Sequence, residues 1–197
     1  VGHFLGDISL GLYSRAYTFA TYPRSVLADP VNQVASGAYS NLKDQRQRLS
    51  RYFSIINSIL IRANFLLAGI LVLVAPEFIR LTLGQRWLPM LNTFRLMIIF
   101  TLLDPIKQTV SMLLTASGVP QKVILARLMQ LIVLGAGLFS LGSRLGIEGV
   151  AITMDVMLLI GMVMLFWQAK GYVDFSLFEL FMVPILSFII GGGLAGS

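Results

Sequence analysis

The stretch Leu180-Phe-Met-Val-Pro-Ile-Leu-Ser-Phe-Ile-Ile-Gly-Gly-Gly-Leu-Ala-Gly-Ser197 runs for eighteen residues without an ionisable side chain. A helix crossing the hydrocarbon layer of a bilayer needs about 20 mostly apolar residues. Moving back along the chain, five more apolar stretches of comparable length follow, each interrupted by one or more ionisable residues. Together with the last they predict six spanning segments, at 9–41, 50–83, 88–117, 122–142, 147–169 and 174–197. Lipid offers the backbone no hydrogen-bond partner, so a spanning segment is a helix or a closed-barrel strand, and these runs are too long for strands. The expected fold is therefore all-α and polytopic, with residues 1–197 forming a single membrane domain. Its first helix is expected to be partly polar and its last to be cut short.

Composition leads to the same solvent. Of 197 residues, 56% are hydrophobic and 12% charged, and the mean hydropathy is +0.82. Soluble domains carry roughly 25% charged residues, and a globule of this size has too little interior to hide so much apolar side chain. The net charge of +6 comes from basic residues scattered between apolar runs, not massed on one face, which argues against a nucleic-acid partner. Cysteine is absent, so disulfides, thiolate nucleophiles and Cys-ligated metals are excluded for this stretch. The chain does not start with Met and stops inside an apolar run, and is expected to be part of a longer protein.

The breaks between segments differ in charge. Lys43, Arg46, Arg48 and Arg51 follow the first, Lys122 and Arg127 follow the third, and Lys170 follows the fifth. The second and fourth breaks carry only Arg80, Arg86 and Arg144. The positive-inside rule then places breaks one, three and five in the cytoplasm. Pro23 and Pro30 in the first segment, Pro105 in the third and Pro184 in the sixth are positions where a helix tends to kink.

Short motifs recur in a recognisable order. Val1-Gly-His-Phe-Leu-Gly-Asp7 precedes Leu10-Gly-Leu-Tyr-Ser-Arg-Ala-Tyr17. Next come Asn41-Leu-Lys-Asp44, Ala75-Pro-Glu-Phe78, Leu83-Gly-Gln-Arg-Trp87 and Leu114-Thr-Ala-Ser-Gly118. Their order and spacing resemble bacterial polysaccharide flippases of the multidrug/oligosaccharidyl-lipid/polysaccharide exporter superfamily, over nearly the whole chain. The resemblance implies helices eight to thirteen of a two-lobed transporter with twelve to fourteen, the N-terminal lobe lying elsewhere in the same chain. It further implies translocation of polyprenyl-pyrophosphate-linked oligosaccharide repeat units across the bacterial cytoplasmic (inner) membrane, for polysaccharide export. The implied mechanism is alternating access, driven by an ion gradient or membrane potential, with no cofactor.

Ionisable groups inside membrane helices are costly and are functional candidates by default. Arg24, Arg62 and Lys107 fall near mid-span in their segments and are candidate substrate-binding residues, because Arg and Lys suit phosphate oxygens. Asp29, Asp104 and Asp155 are candidates for coupling to an ion. Structural readings compete with each. Asp104 and Lys107 are three residues apart on one helical face and can neutralise each other. Arg62 can pair with Asp155 or with a carboxylate on the absent lobe. Arg15, near the end of its segment, can snorkel to headgroups. Asp174 and Glu179 sit at an expected helix start, where acids complement the dipole. No metal site is expected, since His3 stands alone, and Gly191-Gly192-Gly193 lacks the Lys-Ser/Thr of a P-loop.

A membrane-embedded polysaccharide polymerase or ligase, a drug exporter of the same superfamily and a permease subunit are the competing functions. The breaks around Gly84 and Gly146 are short and hold no paired carboxylates, so transport is expected and enzymatic activity is not.

Overall fold

The computed structural model describes residues 2–176, 178 and 180–182, without the side chains of 2–6, 22–27 and 99–101. Five long helices follow one another: α1 (Gly2–Leu42), α2 (Arg46–Thr82), α3 (Leu91–Ala116), α4 (Pro120–Gly137) and α5 (Ser143–Ala169). A 3-10 turn (Gln85–Met90) leads into α3, and a single π-helical turn (Leu138–Gly142) joins α4 to α5. No strand forms among the described residues.

Each connection has a local cause. The α3 C-terminus closes in a Schellman motif: the Val119 N–H donates to the Leu114 carbonyl and the Gly118 N–H to that of Thr115, with Gly118 at φ +81°. Pro120 then opens α4 at its first position, where no amide hydrogen is required. Between α4 and α5 the chain reverses at Gly146, whose φ of +60° and ψ of −137° suit only glycine. The reversal makes an antiparallel hairpin. Leu141 meets Gly149, Gly137 meets Thr153 and Gln130 meets Gly161, each pair roughly equidistant from the turn. At all three contacts the missing Cβ permits the close approach typical of membrane helices.

α1 packs along α3 and more lightly on α2. Its buried stripe runs through Ala16, Ala20, Ala28, Asn32, Ala35 and Tyr39, and the alanines are small residues that let the helix axes draw together. Two apolar cores result. One gathers Ala16, Ala20, Ala75, Ile79, Met90 and Phe94 near the α2–α3 connection. The other, around Tyr39, Phe53, Ile106, Leu113 and Phe166, lies toward the opposite end. Between α2 and α3 one polar contact is sealed inside: Thr109 Oγ1 lies 2.6 Å from Asn57 Oδ1, while Asn57 Nδ2 donates to the Phe53 carbonyl at 2.9 Å. Thr109→Val keeps the shape and strands that buried acceptor, so a loss of about 1–2 kcal/mol is expected in detergent unfolding titrations. Asn57→Leu added to it should recover part of the loss.

Among the described residues, three helical runs are long and apolar enough to cross a membrane: Arg46–Thr82, Gln85–Ala116 and Pro120–Ala169. The last is the α4–α5 hairpin counted as one, because its backbone stays helical almost throughout the turn. α1 covers the expected span 9–41 and continues helically through Pro23 and Pro30, but it is not among the three. Asp7, Arg15, Arg24 and Asp29, with many Tyr, Ser and Thr residues, make it too polar. The expected span 174–197 lies mostly outside the described residues, as do Pro184 and Gly191–Gly193. Its start needs correction, since Asp174, Phe175 and Ser176 are not helical.

Asp174 therefore does not complement a helix dipole. It is exposed and takes two hydrogen bonds from Arg46, from Nε at 3.1 Å and Nη2 at 2.7 Å, while its own N–H donates to Ser50 Oγ at 2.9 Å. Those bonds from the guanidinium hold its carboxyl below the usual carboxylate range. Beside it Phe175 packs on Phe53 and Phe166, and Lys122 Nζ stands 4.8 Å from the ring centre of Tyr172. Breaks one, three and five are thus gathered at one end of the bundle, as their shared basic character implied.

Candidate functional site

From that basic end a cavity of about 980 Å³ enters the bundle between α1, α3, α4 and α5. Its walls are mixed. α1 contributes Ser36 and Ser40, with Lys43 in the turn just after it; α3 contributes Asp104, Lys107, Gln108, Ser111 and Thr115; α4 contributes Arg127 and Gln130. Apolar surface comes from residues such as Leu131, Leu134, Met157 and Leu165. Lys107 lies nine residues before the end of α3, which puts it about 14 Å along the helix from the mouth.

At that depth Asp104 is almost fully buried and both its oxygens are engaged. Lys107 Nζ lies 2.8 Å from Oδ1, and Gln108 Nε2 donates to Oδ2 at 2.9 Å. The ammonium has three donors and lines the cavity, so Asp104 acts as the anchor behind it and Lys107 is the member of the pair presented to an occupant. Nearer the mouth, Lys43 and Arg127 are exposed. Three cations against one carboxylate leave the lining net positive. The hydroxyls of Ser111 and Thr115 donate to the carbonyls of Lys107 and Ser111 one turn back, and that of Ser40 donates to Ser36. Their donors are spent on backbone, so toward the cavity they offer lone pairs. On the far wall Gln130 donates to the Met157 carbonyl at 3.3 Å and fills the gap left by Gly161.

The residues expected to act together are only partly brought together. Lys107 and Asp104 share the cavity. Asp29 is half-buried on α1 and does not line it. Asp155 is buried on α5, one turn from Ala151, which packs with Ala16 and Ala20 in the other core. Arg62 is exposed on α2, a helix with no contact to α5, so it does not pair with Asp155. Arg24 lies within α1, and its side chain is outside the described residues. Arg15 is exposed. Among the described residues no group of three His, Cys, Asp or Glu side chains is placed to hold a metal ion.

Sequence reasoning missed Lys43, Arg127, Gln108 and Gln130 as lining residues. Lys43 and Arg127 had been read only as contributors to the charge bias between the two faces. The available signal was that Arg127 sits one to two turns inside its helix, beyond the headgroup level that the bias concerns.

These features define a multi-pass α-helical membrane protein with a polar, net-cationic chamber open at its basic end. Comparison with known proteins points the same way. Residues 1–92 match the family described as "Polysaccharide biosynthesis protein". The chain is 26% identical over 118 residues to an uncharacterized membrane protein in the cps region of Klebsiella pneumoniae, covering 60% of this chain and 24% of that protein. It is 29% identical over 109 residues to the teichuronic acid biosynthesis protein TuaB of Bacillus subtilis (strain 168), covering 53% of this chain and 23% of that one. The aligned stretches thus span about a quarter of the length of these relatives. No solved structure matches the chain. The matches agree with the resemblance read from the motifs in pointing to a membrane protein with a role in polysaccharide biosynthesis.

Proposed function

We propose that this chain forms part of a transporter that moves polyprenyl-pyrophosphate-linked oligosaccharide units across the bacterial cytoplasmic membrane by alternating access. The observation that carries the reading is the cavity: net cationic, lined with hydroxyl and amide groups, and open on the side with the basic breaks. Pyrophosphate is an anion that cannot enter hydrocarbon unaided, and Lys43, Lys107 and Arg127 supply charge along its path. Sugar hydroxyls are donors, and Ser40, Ser111 and Thr115 offer acceptors. The rest of the same chain would complete the chamber as the opposing lobe. Coupling is assigned to an ion gradient or membrane potential, with Asp29, Asp104 and Asp155 as candidate carriers and no bound cofactor. In this reading the protein is a transporter and not an enzyme.

The test uses the intact protein in a host lacking its own flippase, with surface polysaccharide normalised to protein level. Arg127→Ala should lower export about tenfold at unchanged protein level, the equivalent of one charge-assisted contact. Arg127→Lys should recover part of it, keeping charge without the planar fork. Full export from the double variant Lys43→Ala with Arg127→Ala would remove the cavity from the transport path. Dye efflux that follows these substitutions while polysaccharide export does not would favour the drug-exporter reading.

A further inference from the structure

At the basic end, the non-helical connector 170–176 leaves α5 and reaches two other helices. It begins close to α5: Tyr172 and Val173 donate their N–H groups to the Ala169 carbonyl, and the Val173 side chain is buried. Tyr172 faces Lys122 in the first turn of α4, next to Val123, which lines the cavity. Asp174 then takes both bonds from Arg46 and gives one to Ser50, so the backbone is fastened to the start of α2. Phe175 inserts between Phe53 of α2 and Phe166 of α5, with ring centres 5.6 and 5.4 Å away.

These ties cross a gap that helix packing leaves open. Among the described residues α2 has no contact with α4 or α5, and α1 has none with α4, although α1 and α4 both wall the cavity. The α4–α5 hairpin rests on α3 mainly through α5, while α4 meets α3 only lightly. On the α2 side, the connector is what holds the hairpin. Its ties differ in kind. Val173 and Phe175 sit in the apolar core, whereas the Arg46–Asp174 pair is exposed, where water and salt compete with it. Two parallel bonds fix geometry there and can still part. We infer that the connector is a clasp: it ties the hairpin to α2, sets the width of the cavity's mouth, and parts at Arg46–Asp174 when a bulky occupant passes. α4, the lightly packed wall, is the one that moves. The purpose of the clasp rests on the proposed transport path, and its mechanics rest on the geometry alone.

Nitroxide labels on Asn41→Cys and Gln121→Cys, exposed sites in the last turn of α1 and the first of α4, measure the mouth in proteoliposomes of the intact protein. Arg46→Glu sets two carboxylates against each other and should shift the label distance to longer values with a broader spread. The exchange of Arg46→Asp with Asp174→Arg should return it to the wild-type value. Both residues are exposed, so neither change strands a buried charge. A distance unchanged by Arg46→Glu, or still long after the exchange, would overturn the proposal. In a second protein, Arg46→Cys and Asp174→Cys joined by a short, cleavable bifunctional thiol reagent should stop polysaccharide export, and cleaving the reagent should restore it. Export at the unjoined rate from the joined protein would also overturn the clasp. Absence of export from the unjoined protein would count against the transport reading instead, with the label distances still deciding the clasp.

Discussion

Lys107→Ala is expected to destabilise the folded protein by about 3–5 kcal/mol, because it removes the cation beside a carboxylate that is 2% exposed. The reason is the asymmetry between making and breaking a buried pair. Desolvating Asp104 is offset by Lys107 at 2.8 Å and Gln108 at 2.9 Å, and removing the ammonium takes away the positive charge beside its carboxylate. Adding Asp104→Asn to Lys107→Ala should restore most of the lost stability, since no charge is then stranded. Unfolding titrations of the two singles and the double form a thermodynamic cycle, and near-additive values would show that the pair is not coupled. The exchange of Asp104→Lys with Lys107→Asp separates structure from function. It preserves the pair but turns a carboxylate toward the cavity and buries the cation behind it. The protein should fold while export falls; export at the wild-type rate would mean that the sign of the charge facing the cavity is immaterial.

The second large effect belongs to the α4–α5 hairpin. Gly149→Ala should cost about 3 kcal/mol, the upper part of the range for overpacking, because the new methyl group would run into the Leu141 carbonyl. That obstacle is backbone in the π-helical turn and cannot rotate aside. Gly137→Ala and Gly161→Ala meet side chains instead, those of Thr153 and Gln130. They should cost about 1 kcal/mol each, since a side chain can change rotamer. At Gly161 the displaced amide also loses its bond to the Met157 carbonyl. The ranking can be read from thermal stability of the purified protein in detergent. Equal losses at all three positions would mean that the hairpin yields as a whole and does not resist locally.

The helical framework was legible because hydropathy and turn chemistry are local signals. Gly118 followed by Pro120 marked the α3–α4 break, and Gly146 the hairpin reversal, to within a few residues. The i,i+3 spacing of Asp104 and Lys107 was enough to foresee their pairing. The composition of the cavity was not legible in this way. Lys43 follows the first helix and Arg127 lies inside the fourth, more than eighty residues later, and only the packing of α1 and α4 around α3 brings both to one chamber. Depth along a helix can be counted from sequence, but the direction a residue faces depends on which neighbours the helix acquires. Arg62 and Lys107 show the difference. Both were placed near mid-span, yet one lines the interior and the other looks outward. The polarity of α1 was noticed in its residues, while its consequence, a helix too polar to count as a span by itself, emerged only when its boundaries were drawn.

The bridge between Arg46 and Asp174 joins residues 128 positions apart. A ribosome adds roughly 5–20 residues per second, so on the order of 6–25 s pass between the synthesis of the two partners. During that interval α2 has left the ribosome with its first turn still untied, and α3, α4 and α5 are made and inserted one after another. The earliest helices are held in place meanwhile by their apolar faces and by the buried contact between Asn57 and Thr109. The connector after α5 is the last of these parts to arrive, and its docking is the step that can register that the α4–α5 hairpin has already taken its place.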